Sequence, residues 1–218
     1  HEPTRRAAQP HAGAGERRYK PFCSHITYVS QDFGKYDGKG DGKGLQMGTW
    51  DTGGLDIVSD ITAIPEPDAS FDAILCSEVF EHLPDPLLAL KEFSRLLKPG
   101  GTLILTAPFC SLTHFAPFHF YSGFSRYFYE HHLPLLGFKP LSIESNGTYF
   151  DFLMQEMFRV PIIVKRNGKG LWRAAGAILW GFVFLLGAPL LLLLKQCNVD
   201  SQDILCFGYH VIATRNLS

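Results

Sequence analysis

Several acids in this 218-residue sequence stand where short apolar segments end, and their positions suggest chemistry. Asp32 closes ITYVSQD (26–32), Asp60 lies at the end of LDIVSDI (55–61), and Ser77 and Glu78 stand at the end of FDAILCS (71–77). A carboxylate offers two acceptor oxygens to a pair of donors. The carboxyl ends of strands are also where open α/β sheets hold their ligands. His82 follows closely, and an imidazole titrates in the range where it can accept a proton, although a lone histidine serves structure as readily. His114, His119, Tyr121 and Tyr127 crowd into SLTHFAPFHFYSGFSRYFYEHH (111–132), a stretch for which aromatic packing is the alternative reading.

The elements that position these residues follow from local pattern. FDAILCS is an apolar strand bounded by turn signals. Asp85 can cap the helix after it, Pro86 suits the first helical position, and Leu87, Leu90, Phe93, Leu96 and Leu97 share one face. Lys98-Pro99-Gly100-Gly101 stops that helix, and TLILTAP (102–108) reads as a buried strand. Strand, helix and strand at this spacing make a βαβ unit and imply a parallel sheet. A helix is expected over 122–136 and strands over 138–145 and 208–215. The expected fold is α/β, a Rossmann-like mostly parallel sheet with a terminal antiparallel strand and an apolar helical insertion between the last two strands.

Composition narrows the function classes. Hydrophobic residues make up 46% and charged residues 19%, which supports a packed core. The formal net charge of -1 provides no basic face for nucleic acid. The five cysteines show no CxxC or zinc spacing and read as free thiols of a reducing, cytoplasmic compartment. Residues 1–20 show no secretory signal pattern. DGKGDGKG (37–44) lacks both the calcium-loop acid spacing with its closing glutamate and a P-loop signature, so it is expected to be a solvated loop. No metal site is expected.

The block DIVSDITAIPEPDASFDAILCSEVFEHLPDPLLALKEFSRLLKPGGTLILTAP resembles the central stretch of class I S-adenosylmethionine-dependent methyltransferases, of the Methyltransf_11 kind, in the order and spacing of its pieces. That resemblance implies a cofactor, S-adenosylmethionine. HAGAGERRY (11–19) is similar to the family's glycine-rich loop, so Gly13 and Gly15 would let the backbone approach the cofactor. Asp32 would accept the ribose hydroxyls, Asp60 would meet the adenine amine, and the backbone N–H of Ile61 a ring nitrogen. Ser77 and Glu78 would lie nearby. Alignment of nucleophile, methyl and sulfur is the main demand of the chemistry, with a base needed only where the acceptor must lose a proton. His82 and His119 are the candidates for catalysis, and the acceptor is expected to be a small molecule or lipid-like.

The sequence departs from the family where RRAAQP stands in place of an apolar first strand ending in an acid. A shortened start or a degenerate pocket is the expectation there. One domain is expected over 1–218, with 1–12 irregular, 33–54 a glycine-rich loop and 151–200 an apolar and basic insertion. LWRAAGAILWGFVFLLGAPLLLLL (171–194) approaches the length that spans a bilayer. Strands on both sides of it belong to one sheet, and Gly187-Ala188-Pro189 can break it, so peripheral membrane contact or a lid is favoured over a crossing, with a subunit interface as the alternative. Oligomeric state is not set by the sequence. The rival functions are a non-catalytic module of the same fold that binds membranes or partners, and a nicotinamide oxidoreductase, for which no GxGxxG is present.

Overall fold

The computed structural model describes residues 8–12, 17–196 and 201–217. Gly13 and Gly15 lie outside the described residues. The chain divides into two compact units, residues 1–144 with 208–218, and residues 145–207.

The first unit is built on a sheet of strands β1 (Ala8–Ala12), β2 (Thr27–Asp32), β3 (Ile57–Val58), β4 (Phe71–Ser77), β5 (Leu97–Pro108), β6 (Phe138–Asn146) and β7 (Gly208–Arg215). Their spatial order is β3-β2-β1-β4-β5-β7-β6. Strands β1 to β5 pair in parallel, and β7 runs antiparallel to β5 from Thr102↔Thr214 to Pro108↔Gly208. The expected Rossmann-like sheet is therefore observed, including the terminal antiparallel strand. Helix α1 (Pro86–Leu96) begins where Asp85 Oδ1 accepts from the N–H groups of Leu87 and Leu88, both at 3.1 Å, which satisfies two of the first turn's orphan donors. Its buried residues Ala89, Leu90, Phe93 and Leu96 recur at helical spacing and leave water entirely. Helix α2 (Arg126–Leu135) is shorter than the 122–136 pattern suggests, and it buries Tyr129 and Leu133.

An ionic clamp closes the underside of α1. Arg95 donates to Glu92 at 2.7 and 2.8 Å, to Asp68 at 2.7 Å, and to the carbonyls of Glu66 and Ile64. Glu92 also accepts from the Ile64 N–H at 2.8 Å. The Arg95 guanidinium holds the Glu92 carboxyl below the usual carboxylate range against the opposing effect of burial.

Two stretches differ from the sequence reading. Residues 1–12 were expected to be irregular, yet Ala8–Ala12 form β1, in register with β2 over five pairs and with β4 at His11↔Leu75 and Ala12↔Cys76. The physical reason is the slot itself. Two parallel strands with nothing between them would leave rows of unpaired backbone groups, and that requirement overrides the poor strand propensity of AQPHA.

The second difference lies in the other unit, which consists of helices α3 (Tyr149–Asn167) and α4 (Gly170–Gln196). Thr148 and Asp151 form a capping box that starts α3. Asp151 near the start of α3 pairs with Lys195 near the end of α4 at 2.5 Å, and Trp180 Nε1 donates to the Met157 carbonyl at 2.9 Å, so the two helices make a hairpin. The break expected at Gly187-Ala188-Pro189 is absent, and α4 runs through it. Ala188 is buried and Gly187 lies against Met157, so packing on α3 offsets the backbone hydrogen bond that Pro189 removes. Within α4, Ala174–Gln196 is a 23-residue helix long and apolar enough to cross a membrane, with 6% of its most apolar window buried.

Candidate active site

The parallel strands bring their carboxyl ends to one edge, and with them the acids singled out in the sequence. Asp32, the last residue of β2, is registered with Val58 of β3, and Asp60 follows two residues later. The buried Asp32 accepts from the Gly34 N–H at 2.8 Å through Oδ1. Asp60 is exposed, and its Oδ1 accepts from the N–H and hydroxyl of Thr62 at 2.9 and 2.8 Å, a turn that presents the acid at the rim. Ile61 beside it is buried.

Ser77 ends β4 on the same edge. Its hydroxyl lies 2.9 Å from Thr106 Oγ1 on β5 and 3.4 Å from the Tyr19 hydroxyl. Glu78 has φ 54, an uncommon conformation for a residue with a side chain, and accepts from Thr106 Oγ1 at 2.8 Å. Neither residue caps α1, whose cap is Asp85. Glu78 keeps solvent contact but is crowded by protein, and this desolvation, with the nearby Glu81 charge, raises its carboxyl pKa.

Beyond β4 the chain makes a 3-10 turn, Phe80–His82, and here the structure gathers residues far apart in sequence. The rings of His82, His114 and His119 lie 4.6, 4.9 and 6.1 Å apart between centroids, and His82 stacks on Phe115 at 4.9 Å. Glu81 is fully buried beneath them and is the residue that the sequence reading missed. Its Oε1 lies 3.6 Å from Nε2 of His82 and 3.6 Å from Nε2 of His114. The Glu81 carbonyl accepts from the N–H groups of Phe120 and Tyr121, which ties this turn to the aromatic segment.

Hydrogen bonds fix how each ring presents itself. His82 Nδ1–H donates to the Phe118 carbonyl at 2.5 Å and His114 Nδ1–H to the Leu112 carbonyl at 2.8 Å. The Ser111 hydroxyl donates to the Ser122 carbonyl at 3.0 Å and accepts from His119 Nε2 at 3.2 Å, leaving His119 Nδ1 with its lone pair. Burial holds His82 below the ordinary histidine pKa despite the Glu81 carboxylate, and burial with the His114 charge does the same for His119. At His114 burial is outweighed by the Glu81 carboxylate, and its pKa is raised. Tyr121 and Tyr127 do not join this group. The Tyr121 hydroxyl donates to the Pro84 carbonyl, and Tyr127 is 77% exposed on α2.

The stretch 37–44, read as a solvated loop, is largely exposed, and the glycine-rich loop 33–54 that contains it is also the seat of the histidine segment. The N–H groups of Asp41 and Leu45 donate to the carbonyls of Ala116 and Thr113, Phe115 N–H donates to Leu45, and Leu45 bridges His114 in parallel fashion. Gly40 has φ +50, and a Cβ there would stand 1.9 Å from the Ala116 carbonyl oxygen. At Gly44, with φ +62, it would stand 2.5 Å from that of Thr113. Only a glycine admits so close an approach. The calcium and phosphate motifs were rejected on spacing, but the loop's docking on 113–116 had no signal in the sequence.

Comparison with known proteins gives a local sequence match and a shared fold. Residues 41–105 match the Methyltransf_11 family, a methyltransferase domain. A ubiquinone biosynthesis O-methyltransferase of Xanthomonas campestris pv. campestris is 51% identical over 49 residues. That match covers 22% of this chain and 20% of the relative, so the likeness spans about a fifth of each. Among solved structures, a SAM-dependent methyltransferase from Archaeoglobus fulgidus superposes with a TM-score of 0.57 at 15% identity, over 96% of this chain and 86% of that one. The YcgJ protein of Bacillus subtilis gives 0.53 at 15% identity, over 100% and 94%. At such identities these structures speak for the fold, and the matched segment 41–105 contains Asp60, Ser77, Glu78, Glu81 and His82. The chain thus carries a segment similar to a methyltransferase domain, within a fold shared with solved methyltransferase structures.

Proposed function

We propose that the protein transfers the methyl group of S-adenosylmethionine to a small-molecule or lipid-like acceptor. The observation that carries this reading is the convergence of Asp32 and Asp60, from the ends of two adjacent parallel strands, on the edge that also bears Ser77, Glu78 and the histidine cluster. The donor chemistry fits a nucleoside. Asp32 would take the ribose hydroxyls, Asp60 and the Ile61 N–H the adenine edge, and Gly13 and Gly15, outside the described residues, the remaining backbone contacts. When bound, this cofactor supplies an electrophilic methyl on a sulfonium.

The chain's own residues then have two tasks, to orient the acceptor and to take its proton. His119 suits the second, since burial and the His114 charge favour its neutral form and Ser111 holds its ring with Nδ1 available. His82, pinned through Nδ1, is the other candidate. The 49-residue match to an enzyme named as an O-methyltransferase favours oxygen as the methylated atom. Calorimetry with S-adenosylmethionine tests the reading. Saturable binding is expected, and its absence from well-folded protein would refute it.

A second reading, a module that binds membranes or partners without catalysis, is favoured by one feature. Helix α4 presents Leu185, Leu186 and Leu193 at 69%, 76% and 61% exposure, and Lys165, Arg166 and Lys169 cluster where α3 gives way to α4. Membrane contact through this hairpin is compatible with methyl transfer to a lipid-like acceptor and is proposed alongside it.

A further inference from the structure

The Glu81 carboxylate and the Nε2 atoms of His82 and His114 converge at the floor of the site. Glu81 is fully buried, and neither of its carboxylate oxygens has a hydrogen-bond partner among the described residues. His82 Nε2 is likewise buried without a partner. The Nδ1–H groups of His82 and His114 are committed to the Phe118 and Leu112 carbonyls, so in the neutral rings both Nε2 atoms turn lone pairs toward the carboxylate. Lone pairs facing a buried anion repel one another, and native folds do not retain such a group uncompensated.

We infer that Glu81, His82 and His114 form a binding site for a divalent cation. The ligand atoms lie within 4.8 Å of one another, and the two Glu81–histidine separations are both 3.6 Å. Ligands at roughly 2.1 Å from a metal stand roughly 3.0–3.5 Å apart, so a modest inward movement of the side chains completes the set. The hydrogen bonds from Nδ1 to backbone carbonyls are the outer contacts that orient metal-bound imidazoles and fix their tautomer. Two imidazoles and one carboxylate suit Zn²⁺, Mn²⁺, Co²⁺ or Fe²⁺ better than an all-oxygen site for Ca²⁺ would. Three protein ligands also leave coordination positions open.

An acceptor oxygen fits an open position, and the bound cation would lower the pKa of its hydroxyl. This second part rests on the proposed methyl transfer. It leaves His82 and His114 as ligands and His119 as the base, with Nδ1 free to take the proton.

The test uses the full chain, stripped with a chelator and titrated with Co²⁺ and Zn²⁺. Visible d–d absorption on adding Co²⁺ and a cation-dependent rise in Tm are expected. His114→Ala and Glu81→Gln each weaken cation binding by at least about 100-fold. Glu81→Gln also supplies the control for folding, because removing the buried anion leaves its cation-free Tm equal to or above that of the wild type. No d–d bands and no cation-dependent Tm in the wild type would overturn the proposal and leave the three groups sharing a proton alone. Calorimetry with S-adenosylmethionine, with and without Zn²⁺, separates the two claims. Cation binding without cofactor binding refutes methyl transfer and keeps the metal site, and cofactor binding without any cation response does the reverse.

Discussion

Replacing Asp32 by Asn gives the sharpest test of the nucleoside reading. The substitution preserves size and keeps one acceptor oxygen, which can still receive the Gly34 N–H now held at 2.8 Å. The local turn therefore survives, and stability is expected to change by less than about 1 kcal/mol. What Asn lacks is the charge and the second acceptor. A hydrogen bond to a charged group contributes about 1.5–3 kcal/mol. Since about 1.4 kcal/mol is tenfold in affinity, Kd for S-adenosylmethionine should rise about 10- to 150-fold. Calorimetry reads the Kd, and a urea titration of the same sample confirms that the fold is intact. If the variant binds within about threefold of the wild type, Asp32 does not hold the cofactor and the ribose assignment fails.

Other expectations follow from the same geometry. Phe93→Ala, at a fully buried position of α1, should cost about 3–5 kcal/mol in urea-induced unfolding, whereas a loss under about 1 kcal/mol would contradict the core described above. Glu92→Gln should cost about 1–3 kcal/mol through the weakened clamp with Arg95 and the Ile64 N–H. Because the folded Glu92 pKa is lowered, its contribution is fully present above the ordinary carboxylate pKa of about 4.3 and disappears as pH falls through the depressed folded value. The Gln variant should accordingly lose part of the wild type's acid-limb pH dependence, and identical acid limbs would argue against the clamp. Gly40→Ala should lower Tm and weaken cation binding together, since its Cβ would strike the Ala116 carbonyl, and a variant normal in both respects would refute the docking role of the loop. Flotation with anionic liposomes is expected for the full chain, to be lost when Leu186 and Leu193 become Glu, and failure of the wild type to float would end the membrane proposal.

The acids were legible because each signal is local. A run of β-branched and aromatic residues that ends in Asp32 or Ser77 specifies both a strand and the edge at which it stops. Helix α1 carried its own cap, proline and periodic face in one segment. The floor of the site was not legible, since Glu81 meets His114 only after the chain has returned through β5 and its following loop, and that return is set by backbone pairing with residues 41–45. Helix α3 was hidden for another reason. The β-branched run Val160–Val164 and Pro161 argue against a helix, and the capping box at Thr148 together with packing against α4 outweighs them. Strand β1 was misread because a central slot in a sheet asks less of its occupant's side chains than of its main chain.

The pairing of 41–45 with 113–116 is written in main-chain atoms, so apart from the glycines at 40 and 44 the loop's spelling matters less than its length. Lys39, Asp41 and Lys43 could be exchanged one by one with little effect on the pocket. Deleting any single residue between Asp41 and Leu45 would slide the pairing by one position and swing the His114 imidazole off Glu81. Shortened variants of this stretch should thus behave as active-site lesions, even though no side chain that they remove touches the histidines.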